Sequence, residues 1–96
     1  MLNASDKIGM NGFMIACKEN RDKVAKILIE KSQNEIQLNQ KDANNNSAFI
    51  LACRSKHLRI VKLLIEKSEE FKIDLKVKNR DGKSGYDLWP QYFKRQ

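Results

Sequence analysis

The sequence predicts an all-α solenoid of stacked helix-turn-helix units, because the chain repeats itself. The segment from Phe13 to Ser32 recurs from Phe49 to Ser68, a displacement of 49 minus 13, or 36 residues. A fixed period between about 20 and 50 residues is typical of proteins whose units bury their apolar faces against one another. Such a protein is a binding surface more often than an enzyme.

The first helix of each unit is predicted to be short and apolar. FMIAC, at Phe13–Cys17, and FILAC, at Phe49–Cys53, form its body. Asn11 and Ser47 precede these segments at N-cap positions, where a side-chain oxygen can accept from a free backbone N–H.

The second helix of each unit is predicted from about Asp22 to Lys31 and from Leu58 to Lys67, with Asp22 itself as an N-cap. Its apolar residues follow the i, i+3, i+4 rule. They are Val24, Ile27 and Leu28 in the first copy and Ile60, Leu63 and Leu64 in the second, widened by Ala25 with Ile29 and by Val61 with Ile65. An apolar arc this broad indicates neighbours on more than one side.

The connections between helices carry turn residues. Asn20 is a plausible left-handed C-cap inside the first unit, and Lys56 is a poorer one at the matching place. Polar connectors follow the second helices at 33–37 and 69–74, and each leads to an extended piece and a turn, at 38–47 and 75–84. Asn, Asp and Gly in these turns permit positive φ angles.

The length of 96 residues predicts a single domain over 1–96. Hydrophobic residues make up 41% and charged residues 32%, which is ordinary for a soluble globular protein. No apolar run approaches the roughly 18 residues of a membrane span, and the N-terminus lacks an export signal. We therefore expect an intracellular location, cytoplasmic or nuclear.

The two cysteines, Cys17 and Cys53, occupy equivalent places in the repeat. Stacked helices lie about 8–10 Å apart, which exceeds the roughly 7 Å Cα separation that a disulfide tolerates. We expect both to be free thiols in a packed helix. A metal site shared with His57 is the alternative, but no CxxC pair or fourth ligand accompanies it. No metal or cofactor is predicted.

Catalytic constellations are missing from the sequence. His57 stands alone, on the outer side of a helix start, without a serine or cysteine at a suggestive spacing. The DxxG at Asp6 and the NRDGKS segment at 79–84 lack the GxxxxGK spacing of a phosphate loop and indicate turns instead. We predict a non-catalytic protein.

The net charge of +7 is concentrated in the middle of the chain. Residues 41–80 carry ten basic and five acidic side chains, an excess of +5. A basic patch attracts nucleic acid, an anionic membrane or an acidic protein. The alternative is an AT-rich genome, since fourteen Lys against five Arg, with nine Asn and nine Ile, would follow from base composition alone.

The turn segments resemble a known family. LKVKNRDGKSGYDL at 75–88 is similar to the ankyrin-repeat signature, an extended LN or VN step followed by DxxGxTPLHxA, and 2–17 and 38–53 are similar to it as well. This resemblance implies an all-α ankyrin solenoid with protruding turns or short hairpins. The family period is about 33 residues, whereas Ser84 follows Ser47 by 37 residues, so three or four residues are inserted after each second helix. The implied units are a repeat over about 5–40, a repeat over about 41–77 and a partial capping repeat over about 78–96.

The sequence departs from the family at the histidine of the signature. Met14, Ile50 and Asp87 stand at its three places. The polar tether between units is therefore absent, and apolar packing must substitute for it at the first two places.

The third unit stops early, after Leu88. Trp89 replaces a small alanine, and Pro90 suits the first turn of a new helix. An aromatic lid over the last apolar face is predicted, with an exposed aromatic binding edge as the alternative. Its members are Tyr86, Trp89, Tyr92 and Phe93.

The first unit opens directly at Met1 with LNAS, without a dedicated cap. Either the chain is a piece of a longer array, or Ile8, Met10 and Met14 form an exposed edge that binds another protein or a second copy of this chain.

The resemblance implies a protein-interaction module whose partner sits on the concave side, made of turn tips and the exposed side of each first helix. Transferred position by position, the implied contact residues are Lys7, Ile8, Met10, Lys18 and Glu19 in the first unit, Lys41, Asn44, Asn46, Arg54 and Ser55 in the second, and Lys78, Arg80, Asp81 and Lys83 in the third. Seven of these are basic and two are acidic, so an acidic or phosphorylated protein is the complementary partner. Binding of nucleic acid or of an anionic surface by the same stripe is the alternative, although no aromatic residue is interleaved with the basic tips. A structural spacer within a longer array is a third reading.

Overall fold

A computed structural model describes residues 9–31 and 37–94, and within these ranges it contains six helices and no strand. The helices are α1 (Gly12–Lys18), α2 (Asp22–Glu30), α3 (Ala48–Ser55), α4 (Leu58–Phe71), α5 (Gly85–Leu88) and α6 (Pro90–Lys94). The all-α fold class is confirmed.

The first helix of each unit begins where the sequence predicts. Asn11 is extended, and its Oδ1 accepts from Met14 N at 2.9 Å. Ser47 Oγ accepts from Ile50 N at 3.3 Å in the same way. Ser84 opens α5 with a reciprocal capping box, because Asp87 accepts from its backbone N–H. These caps satisfy N–H groups that have no partner within the helix.

The second helices differ from the prediction at their ends. Asp22 is the first helical residue of α2, and the N-cap is Arg21, which makes no side-chain cap bond. α4 continues to Phe71, four residues beyond the predicted Lys67. Phe71 packs against the core, and this contact favours helix over the predicted polar connector at 69–71.

The helix-helix turns both use a left-handed residue. Asn20 has the predicted left-handed φ, 60°, but the C-cap of α1 is Glu19, one residue earlier. Lys56 is the C-cap of α3 and has φ 57° although lysine favours this region less. In each turn the next residue donates back into the first helix, from Arg21 N to Ala16 O and from His57 N to Ala52 O. The two turns therefore share one left-handed residue and one backbone hydrogen bond.

The core lies around α3, which packs against α1 on one side and α5 on the other, with α4 across it. Every residue from Ala48 to Cys53 is at most 1% exposed. Met14 and Ile50, which replace the family histidine, are both fully buried, so apolar packing does substitute for the tether there. Since Met14 is buried, it is not part of an exposed N-terminal edge, and Ile8 lies outside the described residues.

The apolar stripe on the second helices is right for α4 and partly wrong for α2. Ile60, Val61 and Leu64 are fully buried, and Leu63 and Ile65 are half-buried. In α2, Ala25 and Ile29 are buried and Leu28 is half-buried, but Val24 is 44% and Ile27 50% exposed. α4 contacts both α2 and α3, whereas no described helix precedes α2 along the stack. Val24 occupies the place of Ile60, one repeat earlier, and lacks the neighbour that covers Ile60.

The sequence predicted that His57 stands alone on the outer side of a helix start, and this is wrong. His57 is half-buried and has a polar partner. Its Nε2 lies 2.9 Å from the backbone oxygen of Lys18, at the end of α1. This contact is a polar link between consecutive units.

The C-terminal aromatic residues pack together and onto Phe49 of the central helix. The ring centroid of Phe49 lies 5.6 Å from that of Tyr86 and 6.1 Å from that of Phe93. Trp89 stacks on Tyr92 at 4.8 Å. Pro90 begins α6, as predicted. This aromatic cluster covers the side of α3 that faces away from α1.

Candidate functional site

The first described turn tip spans 42–46 and is organised by one carboxylate. Asp42 Oδ1 accepts from Asn44 N at 2.9 Å and from Asn46 N at 2.8 Å. The backbone closes the turn from Asp42 N to Asn46 O at 3.0 Å. Asn45 adopts φ 62°, a conformation that asparagine tolerates better than most residues. The tip is a short closed turn held by the side chain of Asp42.

The second turn tip, at 79–83, repeats this geometry 37 residues later. Asn79 Oδ1 accepts from Asp81 N at 2.9 Å and from Lys83 N at 3.1 Å, and Asn79 N donates to Lys83 O at 2.9 Å. Gly82 takes the positive φ, at 74°. The NRDGKS segment is therefore a turn, as predicted.

The two tips are bonded to each other. Asn79 Nδ2 donates to Asn46 Oδ1 at 3.0 Å, and Arg80 N donates to Asn44 O at 3.0 Å. The Asn79 side chain thus accepts through its oxygen within its own turn and donates through its nitrogen to the preceding turn tip. We call the two linked turns, 42–46 and 79–83, the tip row.

Gly9 also lies beside the tip row. Its φ is 82°, and its carbonyl accepts from Gln40 Nε2 at 2.9 Å. A Cβ on Gly9 would lie 3.1 Å from Asp42 Cα and 3.2 Å from Ala43 N. The positive φ of Gly9 and its close approach to the backbone of the tip row require glycine there.

The structure leaves most of the sequence-predicted contact residues exposed. The exposed ones are Glu19, Lys41, Asn44, Arg54, Ser55, Lys78, Arg80, Asp81 and Lys83; Lys18 and Met10 are half-buried, and Lys7 and Ile8 lie outside the described residues. Arg54 and Ser55 are at the far end of α3, roughly 9 Å along the helix from the tip row. Glu19 and Lys18 end α1 in the same way.

Asn46 does not belong on an exposed surface. Its side chain is 3% exposed because it bonds to Asp42 and to Asn79. Sequence reasoning also missed the residues that hold the tips, Asp42 and Asn79. The signal was available, since both occupy the first position of the DxxG step in the signature.

The two thiols and the Asp87 carboxylate have structural surroundings. Burial raises the pKa of the Cys17 and Cys53 thiols to about 12, so both stay protonated near neutral pH. Asp87 belongs to the capping box of α5, and the hydrogen bonds that it accepts from Ser84 lower its pKa. In 9–31 and 37–94 no three His, Cys, Asp or Glu residues are grouped to hold a metal ion.

The repeated tips and helix pairs agree with a match to a known family. The profile of ankyrin repeats, in three copies, matches residues 2–79. The chain belongs to the ankyrin-repeat family. Ankyrin repeats are generally protein-protein interaction modules and are typically non-catalytic. A search of curated proteins finds no match to this sequence.

Membership of the ankyrin-repeat family points to a protein as the partner. Among the helices that the structure describes, none has the length and apolarity needed to cross a bilayer.

Proposed function

We propose that this ankyrin-repeat chain is a non-catalytic binding module that holds an acidic protein segment against its tip row and the exposed ends of its first helices. The observation that supports this most is the bonding of the two tips to each other through Asn79, Asn46 and Arg80. A surface that is ordered before the partner arrives loses less conformational entropy on binding.

The charge of this surface favours an acidic partner. Its described basic members are Lys18, Lys41, Arg54, Lys78, Arg80 and Lys83, against Glu19 and Asp81. An excess of six over two attracts carboxylates or phosphates and accelerates association. We place the interaction inside the cell, in the cytoplasm or nucleus, as the sequence predicts.

Binding of a labelled Glu- and Asp-rich peptide to the full chain tests the proposal. Replacing Lys41, Lys78, Arg80 and Lys83 by Ala should weaken binding and reduce its salt dependence, because these exposed cations supply the attraction. The folding stability should change by less than about 0.5 kcal/mol per exposed site.

A single-stranded DNA of similar charge is the control for this test. If the DNA binds as tightly as the peptide, with a steep loss of affinity at higher salt, the surface recognises nucleic acid and the acidic-protein proposal is wrong.

Self-association is a second candidate, supported by the exposure of Val24 and Ile27 on α2. The sedimentation behaviour of the chain over a range of concentrations tests it, with Ile27→Lys as the disrupting variant. A monomer at all concentrations contradicts it.

A further inference from the structure

A second charged surface lies on the outer helices, away from the tip row. A cleft of about 380 Å³ opens between α2 and α4. Its lining residues are Asp22, Lys23, Lys26, Arg59, Lys62, Leu63 and Glu66. We propose that this cleft, which we call the α2/α4 cleft, is a separate binding site for an acidic peptide segment of a protein.

The repeat itself places the cations in the cleft. Lys23 and Arg59 are one 36-residue repeat apart, and so are Lys26 and Lys62. Within each helix the two cations are three residues apart, a spacing that puts them on the same side. Packing of α2 against α4 therefore sets two pairs of positive charge side by side.

None of the four cations forms an ion pair with another residue in the part of the chain that the structure describes. The ion pairs between described residues that come within 4.0 Å are Arg21–Glu19 and Lys67–Glu30, and none of the four cleft cations takes part in one. The contrast with Lys67 is informative, because its 3.7 Å pair with Glu30 joins the same two helices. Lys67 therefore has an acidic partner on the facing helix, whereas the four cleft cations have no ion-pair partner among the described residues.

The electrostatic setting favours an anion. Four basic side chains face two acidic ones, Asp22 and Glu66. Lys23 and Arg59 belong to the first turns of helices of nine and fourteen residues, where the helix dipole adds positive potential.

The residues that line the cleft favour an acidic peptide over a nucleic acid. Leu63 is half-buried and gives the cleft an apolar contact, which an acidic peptide with an apolar side chain can use. The carboxylates of Asp22 and Glu66 repel a dense polyanion, whereas a peptide can place its own carboxylates between them. No aromatic side chain lines the cleft to stack on bases. An acidic peptide therefore fits the cleft better than a nucleic acid does.

Amide NMR titration of the full chain resolves this site from the tip row. The probe is a peptide of about ten residues that alternates Glu or Asp with Leu, added at about 50 and about 200 mM salt. We expect the amides of Lys23, Lys26, Arg59 and Lys62 to shift along one saturable isotherm. The amides of Asn44 and Arg80 report the tip row independently, so either site can fail without the other.

Two charge-matched variants decide the location. Arg59→Glu with Lys62→Glu should weaken the cleft isotherm about tenfold or more, through loss of attraction and added repulsion. Lys41→Glu with Lys78→Glu makes the same change in net charge on the other surface and should alter the cleft isotherm less than about threefold. All four side chains are exposed, and the dispersion of the amide spectrum checks that both variants are folded.

Three results would overturn the proposal. The cleft amides do not shift with the peptide, the two variants weaken the cleft isotherm equally, or a single-stranded DNA of equal charge shifts the cleft amides with the same or higher affinity. The first two outcomes mean that no specific cleft site exists, and the third reassigns the cleft to phosphodiesters.

Discussion

Gly85→Ala is expected to destabilise the protein at the junction between the central helix and the C-terminal aromatic cluster. Gly85 is the first residue of α5 and is buried. A Cβ there would lie 2.5 Å from Phe49 Cε2, 2.7 Å from Phe49 Cδ2 and 2.8 Å from Cys53 Sγ. Contacts this short require the ring or the helix to move.

The loss in the free energy of unfolding depends on how far the Phe49 ring can move. Phe49 is 1% exposed and its ring already contacts Tyr86 and Phe93, so displacement of the ring disturbs the whole aromatic cluster. Overpacking in a core costs about 1–3 kcal/mol. The preference of a helix for Ala over Gly returns up to about 1 kcal/mol. With the full return subtracted, we expect a net loss of up to about 2 kcal/mol, or a fall in Tm of up to roughly 16 °C in a domain of this size.

The repeat provides a matched control. Gly12 holds the equivalent place in the first unit, where a Cβ would meet no described residue within 4 Å, and Ala48 holds it in the second. Gly12→Ala should therefore be neutral or stabilise the fold by up to about 1 kcal/mol. Thermal and urea unfolding followed by circular dichroism measure both variants. If Gly85→Ala proves as stable as Gly12→Ala, the close approach of α5 to Phe49 is refuted.

Three further predictions concern the core, the tips and the thiols. Leu64→Ala should cost about 2–5 kcal/mol in urea unfolding, because Leu64 is fully buried in the middle of the stack; an unchanged midpoint would contradict the stacking. Asn79→Ala should cost about 1–2 kcal/mol and Asn79→Asp less, since Asp keeps the two acceptor bonds within the turn; equal losses would mean that the bonds within the turn contribute nothing. The thiols of Cys17 and Cys53 should react slowly with Ellman's reagent at neutral pH in the folded protein and rapidly in urea, and fast native reaction would contradict their burial. Because their pKa is raised by folding, from 9.0 to about 12, their contribution to stability is complete below about pH 9 and is lost as the pH rises toward 12.

Local features of the fold were determined by the sequence alone. The 36-residue period predicted the stacked helix pairs, and Asn11, Ser47 and Pro90 each marked a helix start that the structure confirms. A cap bond joins residues three apart, and proline fixes its own φ, so neither depends on distant parts of the chain. The candidate surface was implied by the resemblance to the ankyrin signature, transferred position by position, and it stays a prediction.

Other features were decided only by tertiary contacts. Val24 and Ile60 are equivalent in sequence, yet one is 44% exposed and the other is fully buried, because α4 packs against a helix of the preceding unit and α2 has no described unit before it. Asn46 reads as an exposed tip residue but is buried by a bond from Asn79, 33 residues away. The α2/α4 cleft likewise requires two helices to meet. A periodic pattern shows which residues share a face, but the number of neighbours covering that face, and hence burial and charge pairing, is set by the assembled stack.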